Sequence, residues 1–326
     1  MRKPMSFSER TMTMRTANIA VPSPTTRSSP LRIPLPLPVL VAGFCLLWAS
    51  AFSVAKLSME DCPPLMVLTA RFLLAGVVIF GAAVVSGVRL SLSRRDLLLF
   101  AFLGIANQAV FLGLGYVGMR STSSGLAALV ISANPVLTAV LAVAFLNERM
   151  TWRKAIGLLL GVGGVAFVVE SRMAGGIDHP VGIALLLAAL VSLVGGTILY
   201  KKFAPSGGGL WVGNGVQSLA AGLATLPFAF AFENVGDIVP SWRLAVSLAY
   251  LALFVSIFAY LLWFHLLNVS GATAASAYHF MMPPLGLLFG WFLLGEQVAL
   301  ADLIGIVPVA IGIYLVTRPA SSRNGK

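Results

Sequence analysis

Ten separate apolar runs, each long enough to cross a lipid bilayer, leave this chain one class of fold. A helix needs about 20 mostly apolar residues to span the hydrocarbon core. Runs of that kind occupy roughly residues 37–57, 64–86, 96–117, 122–146, 152–170, 180–200, 209–232, 243–267, 271–294 and 298–317. Hydrocarbon offers backbone N–H and C=O groups no partner, so runs this long must bond internally as helices. The expected fold is therefore all-α integral membrane, with ten transmembrane helices. Only 10% of the residues are charged, against about a quarter in a soluble domain, and a lipid-facing surface accounts for the deficit. The net charge of +11 does not point to nucleic acid, because the basic residues sit between the apolar runs and in the tails.

Lysine and arginine are retained on the cytoplasmic side. With the N-terminus inside, the inner segments hold 17 of the 22 basic residues: the tail, the second link (Arg89, Arg94, Arg95), the fourth (Arg149, Arg153, Lys154), the sixth (Lys201, Lys202) and the C-terminus. The outer links keep Arg120, Arg172 and Arg243. The expectation is a multi-pass protein of the cell (inner or plasma) membrane with both termini cytoplasmic. Residues 1–36, rich in Ser, Thr, Pro and Arg, read as a disordered cytoplasmic tail without a secretory cleavage site. Residues 318–326 form a second tail. Cys45 and Cys62 supply no disulfide or metal framework.

The second half of the chain repeats the first. At a constant offset of 148, Pro135 falls on Pro283, Glu148 on Glu296, Gly157 on Gly305 and Gly164 on Gly312. Near the start of each half an offset of 146 pairs Lys56 with Lys202 and Arg71 with Gln217. The halves, 37–172 and 178–317, hold five spans each, and an odd number inverts the second copy relative to the first. Inverted repeats are a recurrent transporter plan, with the substrate site near the midplane where the halves meet.

WASAFSVAKL (48–57), ARFLLAG (70–76), NPVLTAVLAVAFLNER (134–149) and MPPLGLLFGWFLLGE (282–296), in this order and duplicated, resemble EamA-type members of the drug/metabolite transporter superfamily. The likeness covers about residues 37–317. It implies an exporter of amino acids, nucleobase-type metabolites or toxic compounds, with the first four spans of each half around a central cavity. Gln297 departs from the pattern, standing where Arg149 follows the glutamate in the first half.

Polar groups inside spans are costly unless paired or wet, so they are the candidates for function. Arg71 either attracts a substrate carboxylate or reaches outward to Glu60 and Asp61. Asn107 and Gln108 either line a cavity or brace a neighbouring helix, and Gln217 matches Arg71 in the repeat. Asn134 could satisfy a carbonyl freed by Pro135, and Pro135 and Pro283 read chiefly as kinks. Trp48, Tyr260, Trp263, Tyr278 and His279 are the aromatic candidates for the cavity wall, with lipid-interface anchoring as the alternative for Trp and Tyr and a bonded structural role for His279. Glu148 and Glu296 are placed at the cytoplasmic ends of equivalent helices, as structural ion-pair groups rather than proton carriers. No mid-span Asp or Glu is available as a proton relay.

The functional expectation is a secondary transporter. It would export small neutral or zwitterionic metabolites (amino-acid-like or nucleobase-like) or drugs by alternating access. Its partners would be a small-molecule solute and the bilayer, with a homodimer left open and neither cofactor nor catalytic residue required. An intramembrane enzyme lacks its motif here, such as H-E-x-x-H. A phosphate-bearing metabolite or nucleotide sugar is the main alternative solute. Between Phe203 and Thr317, however, Arg243 is the only basic residue, a poor provision for phosphate. A non-transporting scaffold or sensor is the remaining rival.

Overall fold

A computed structural model describes residues 35–87, 90–146, 151–176, 178–203 and 209–317. Among the described residues, eight helices are long and apolar enough to cross a membrane: α1 (Leu37–Ser58), α2 (Pro64–Val85), α3 (Arg94–Met119), α4 (Ser124–Leu146), α5 (Ala155–Ala174), α6 (Pro180–Lys202), α7 (Leu210–Phe232) and α8 (Trp242–Ser270). Two shorter apolar helices follow, α9 (Met282–Leu294) and α10 (Leu300–Thr317). The helical assignment continues from α8 to Ala277 and into a 3-10 turn at Tyr278–Met281. The chain nevertheless reverses there. The rings of Trp263 and His279 are 4.9 Å apart, whereas a straight helix would hold residues so far apart in sequence about 24 Å from each other.

Local chemistry sets the helix starts. Ser93, Ser123 and Ser241 cap α3, α4 and α8 by accepting the N–H of Asp96, Leu126 and Leu244, each satisfying an orphan donor of a first turn. Prolines open α1, α2 and α6, where their missing N–H costs nothing. Gly295, at φ +64°, ends α9 in the left-handed conformation and turns the chain toward Glu296.

The helices pair by an exchange rule. Equivalent helices of the two halves lie against each other: α2 on α7, α4 on α9 and α5 on α10. The other contacts come in matched sets, α1 with α9 as α6 with α4, α3 with α7 as α8 with α2, and α3 with α6 as α8 with α1. Irregularities recur at matched places too. A π-helical stretch at Ile105–Val110 in α3 answers one at Tyr250–Ala259 in α8. The break at Ser132–Ala133 in α4 answers the 3-10 turn before α9. Pro135 and Pro283 each stand in the first turn after these breaks, so the prolines begin helices rather than interrupt them. This is the expected all-α membrane fold of two inverted five-helix sets.

Lipid tails are as apolar as the helices, so helices associate in a membrane by close packing of small residues. The α5–α10 seam is one such case. A Cβ on Gly312 would strike the backbone of Gly157 and Gly161, and one on Gly164 would stand 2.8 Å from the Gly305 carbonyl. Gly81, by contrast, faces open space on the lipid side of α2. Thermal melts in detergent should show Gly312→Ala destabilised by about 1–3 kcal/mol, because backbone cannot yield. Gly81→Ala should be stabilising by up to about 1 kcal/mol, from helix propensity alone.

Candidate functional site

Between the halves lies a narrow cavity walled by Trp48 and Phe52 of α1, Arg71 of α2, Phe111 and Tyr116 of α3, Ala127 and Ile131 of α4, Leu186 of α6, and Val255 and Tyr260 of α8. The space open to the centre of a water-sized sphere is about 30 Å³, room for a water or two. The wall is apolar and aromatic except at Arg71, which is 1% exposed. Its Nε donates to Ser256 Oγ at 2.8 Å and its Nη1 to Tyr116 Oη at 2.7 Å. Among the described residues no carboxylate lies within ion-pair distance of it. A buried guanidinium held by two neutral hydroxyls keeps its full charge uncompensated, an arrangement that normally demands a partner.

The acidic first link does not pair with Arg71. Glu60 and Asp61 are taken by Arg243 at the start of α8, which donates to Asp61 Oδ2 at 2.8 Å and to Glu60 Oε2 at 2.5 Å. These hydrogen bonds, with one from Ser241, hold the Asp61 carboxyl well below its ordinary range, at about 2.

Three further clamps occupy the same face of the bundle. Glu233, just past α7, accepts the N–H groups of Leu65 and Met66 at 2.9 Å, at the start of α2. Glu296, just past α9, accepts Ser124 N–H at 2.7 Å, Ser124 Oγ–H at 2.9 Å and Gly125 N–H at 3.1 Å, at the start of α4, with Lys56 3.5 Å away. A carboxylate at a helix N-terminus meets free donors and the positive end of the dipole. The last clamp is wholly buried: Arg172 forks onto Asp302 at 2.8 and 2.6 Å and reaches Asp178 at 3.1 Å. Each clamp joins a residue of 37–172 to one of 178–317. Glu296 therefore lies on the face where α4 starts, so the ends of α4 and α9 do not share a side, against the expectation that both glutamates do. Inversion of the repeat requires this, since equivalent helix ends point to opposite faces. Glu148 lies outside the described residues.

Of the expected cavity residues, Trp48, Arg71 and Tyr260 line the cavity; the others do not. Trp263 and His279 stack behind Trp48 with Phe44, the Trp48–His279 centroids being 5.7 Å apart. Neither His279 nitrogen makes a hydrogen bond of ordinary geometry. Tyr278 shares a hydrogen bond with Ser270, its carbonyl accepting from Cys45. Asn134 serves as acceptor for Thr138 at 2.8 Å rather than answering a freed carbonyl. Asn107 and Gln108 sit in the π-helical stretch of α3; the Asn107 side chain lies over Gly196 of α6, and Gln217 of α7 packs its backbone on Gly104 of α3. Asn107 Oδ1 and both polar atoms of Gln108 and Gln217 are buried with no described partner, which leaves about 1–3 kcal/mol unrecovered at each group. Tyr116, Ser256, Glu233 and the Arg172 cluster were not singled out in the sequence. Tyr116 was visible only inside GLGYVG (113–118), which fits a dinucleotide motif by accident. Arg172 was visible only as one more charge at a span end.

A family model described as "EamA-like transporter family" matches the chain twice, over residues 37–170 and 180–318. An uncharacterized transporter of Archaeoglobus fulgidus is 30% identical over 83% of this chain and 95% of its own. An S-adenosylmethionine/S-adenosylhomocysteine transporter of Chlamydia muridarum is 27% identical over 83% of this chain and 88% of its own. One crystal structure superposes with a TM-score of 0.66 at 19% identity, covering 86% of this chain and 96% of that one, a likeness of fold.

The buried clamp makes a firm demand. Arg172→Met leaves Asp178 and Asp302 facing each other without their cation, and should destabilise the fold by about 3–5 kcal/mol. Adding Asp302→Asn to that variant should recover part of the loss, read by thermal melts.

Proposed function

Because the chain belongs to the EamA-like transporter family, we propose that it exports small zwitterionic or neutral organic solutes by alternating access, holding a solute carboxylate on Arg71. The observation that carries this reading is the uncompensated guanidinium in an otherwise apolar, aromatic-walled cavity. A carboxylate there would gain a charge-assisted pair in a low-dielectric setting. The apolar part of the solute would lie against Trp48 and Tyr260, which are in mutual contact with centroids 5.1 Å apart. Such walls suit an amphipathic small molecule, and they can also face a cationic group.

Several features support this choice of solute. A relative is named for S-adenosylmethionine and S-adenosylhomocysteine, amino acids whose carboxylate stands at the opposite end from an adenosyl group. A phosphate-bearing solute calls for more than one cation, and the cavity wall supplies Arg71 alone. A cationic drug without a carboxylate would meet the charge of Arg71 with the wrong sign.

Alternating access rests on the exchange of matched helix contacts and on the clamps, which tie the halves together on one face. A cavity of this size cannot hold an amino acid, so the wall has to part for the solute to enter. Both termini are assigned to the cytoplasm on the distribution of lysine and arginine.

Purified protein should bind carboxylated zwitterions, and Arg71→Gln should weaken them by about 10- to 100-fold, the loss of a charged hydrogen-bonded contact. Lysine at this position should not restore affinity, because a point charge does not reproduce the fork. Unchanged affinity in the glutamine variant would overturn the carboxylate reading. A cysteine introduced at Gln297 should be labelled by an impermeant reagent in intact cells, and one at Leu92 only after permeabilisation. The reverse pattern would invert the orientation.

A further inference from the structure

Beside the Arg71 cavity, α3 and α7 carry a dense set of buried polar atoms that the cavity does not use. Asn107 Oδ1, both polar atoms of Gln108, Asn214 Oδ1, both polar atoms of Gln217 and Ser218 Oγ have no described hydrogen-bond partner. Gln108, Asn214, Gln217 and Ser218 are 0% exposed, and Asn107 is 8% exposed. The two helices meet backbone to backbone here, since a Cβ on Gly104 would collide with the main chain of Gln217. Gln108 comes one turn after Gly104, within the π-helical stretch of Ile105–Val110. A π-turn redirects side chains and is frequent at functional sites.

This polar set is continuous with the cavity through two residues of α8. Ser256 accepts from Arg71 on its hydroxyl and from Asn214 Nδ2 on its carbonyl, at 2.8 and 2.9 Å. Tyr260, a cavity wall residue, donates to the Asn107 carbonyl at 3.3 Å.

We propose that Gln108, Gln217 and Ser218 form a second subsite that takes the neutral hydrogen-bonding end of the solute, an amide, urea or heterocycle edge. The chemistry is specific. Amide side chains present a donor and an acceptor side by side and so match a group that presents the reverse pair. A carboxylate on Arg71 and a neutral polar edge toward α7 define the solute class. Side chains that serve only to hold helices together would spend their donors and acceptors on each other, and these do not. The inference rests on the transport reading above and deepens it.

The test uses the full chain in lipid nanodiscs and two amino acids alike at the α-carbon. Citrulline ends in a neutral urea; norleucine ends in a methyl group. The wild type should bind citrulline more tightly, by about tenfold, roughly the gain of one or two net hydrogen bonds. Gln108→Met and Gln217→Met should erase that preference, weakening citrulline by about tenfold. Their ligand-free Tm should rise, because an unpaired buried amide is replaced by an apolar group of similar shape. A preference that survives both substitutions, a wild type without any preference, or a fall in ligand-free Tm would overturn the subsite. Arg71→Gln separates this from the carboxylate reading, which predicts that it weakens both amino acids equally. If Arg71→Gln changes neither while the glutamine variants still erase the preference, the subsite stands and the carboxylate contact falls.

Discussion

Hydrocarbon cannot form hydrogen bonds, and the whole molecule is arranged around that fact. Charge is driven to the helix ends, where it is spent on joining the halves: Glu233 and Glu296 on helix N-termini, Arg243 on the first link, and Arg172 between two aspartates. The helices themselves meet through glycine, as at the α5–α10 seam, because van der Waals contact is what remains when water is absent. Against this background a lone buried guanidinium stands out. Arg71 sits where a charge is most costly, and what surrounds it orients it without neutralising it.

The repeat and its violations carry different information. Backbone features obey the exchange of halves: helix pairing, the two π-helical stretches, and the breaks before Pro135 and Pro283. Side chains at the centre do not obey it. Arg71 in one half corresponds to Gln217 in the other, so a symmetric frame presents a cation on one arm and a neutral amide on the opposite arm. Under the proposed alternating access, rocking requires that the two halves be alike in shape, whereas recognition of an asymmetric solute requires them to differ in chemistry. Backbone and side chains divide in the way that proposal needs.

The closed cavity and the orphaned amides are aspects of the same conformation. With the clamp face tied, the wall leaves space for about two waters, and the polar groups of α3 and α7 are pressed against helix surface. Unpaired buried amides weaken the very state that displays them, which lowers the barrier to leaving it. Under the proposed alternating access, such a cost helps the protein leave one state for the other.

Much of this was legible in the chain itself. The apolar runs gave the spans because bilayer thickness fixes a helix length, and the offset of 148 between Pro135 and Pro283 or Glu148 and Glu296 gave the duplication. Type and depth singled out Trp48, Arg71 and Tyr260, which stand in the cavity wall, together with seven other residues that stand outside it. Sequence offsets conceal direction, however: Glu296 matches Glu148 in order yet faces the opposite side, and only the inversion in space makes that plain. Nor could a one-dimensional reading say that Arg243, 183 positions away, would take Glu60 and leave Arg71 to Tyr116 and Ser256. Hydropathy is set by each helix facing lipid, a local condition written residue by residue. Pairing is set by the rotation and register of helices against one another, and those are decided only when all ten have packed.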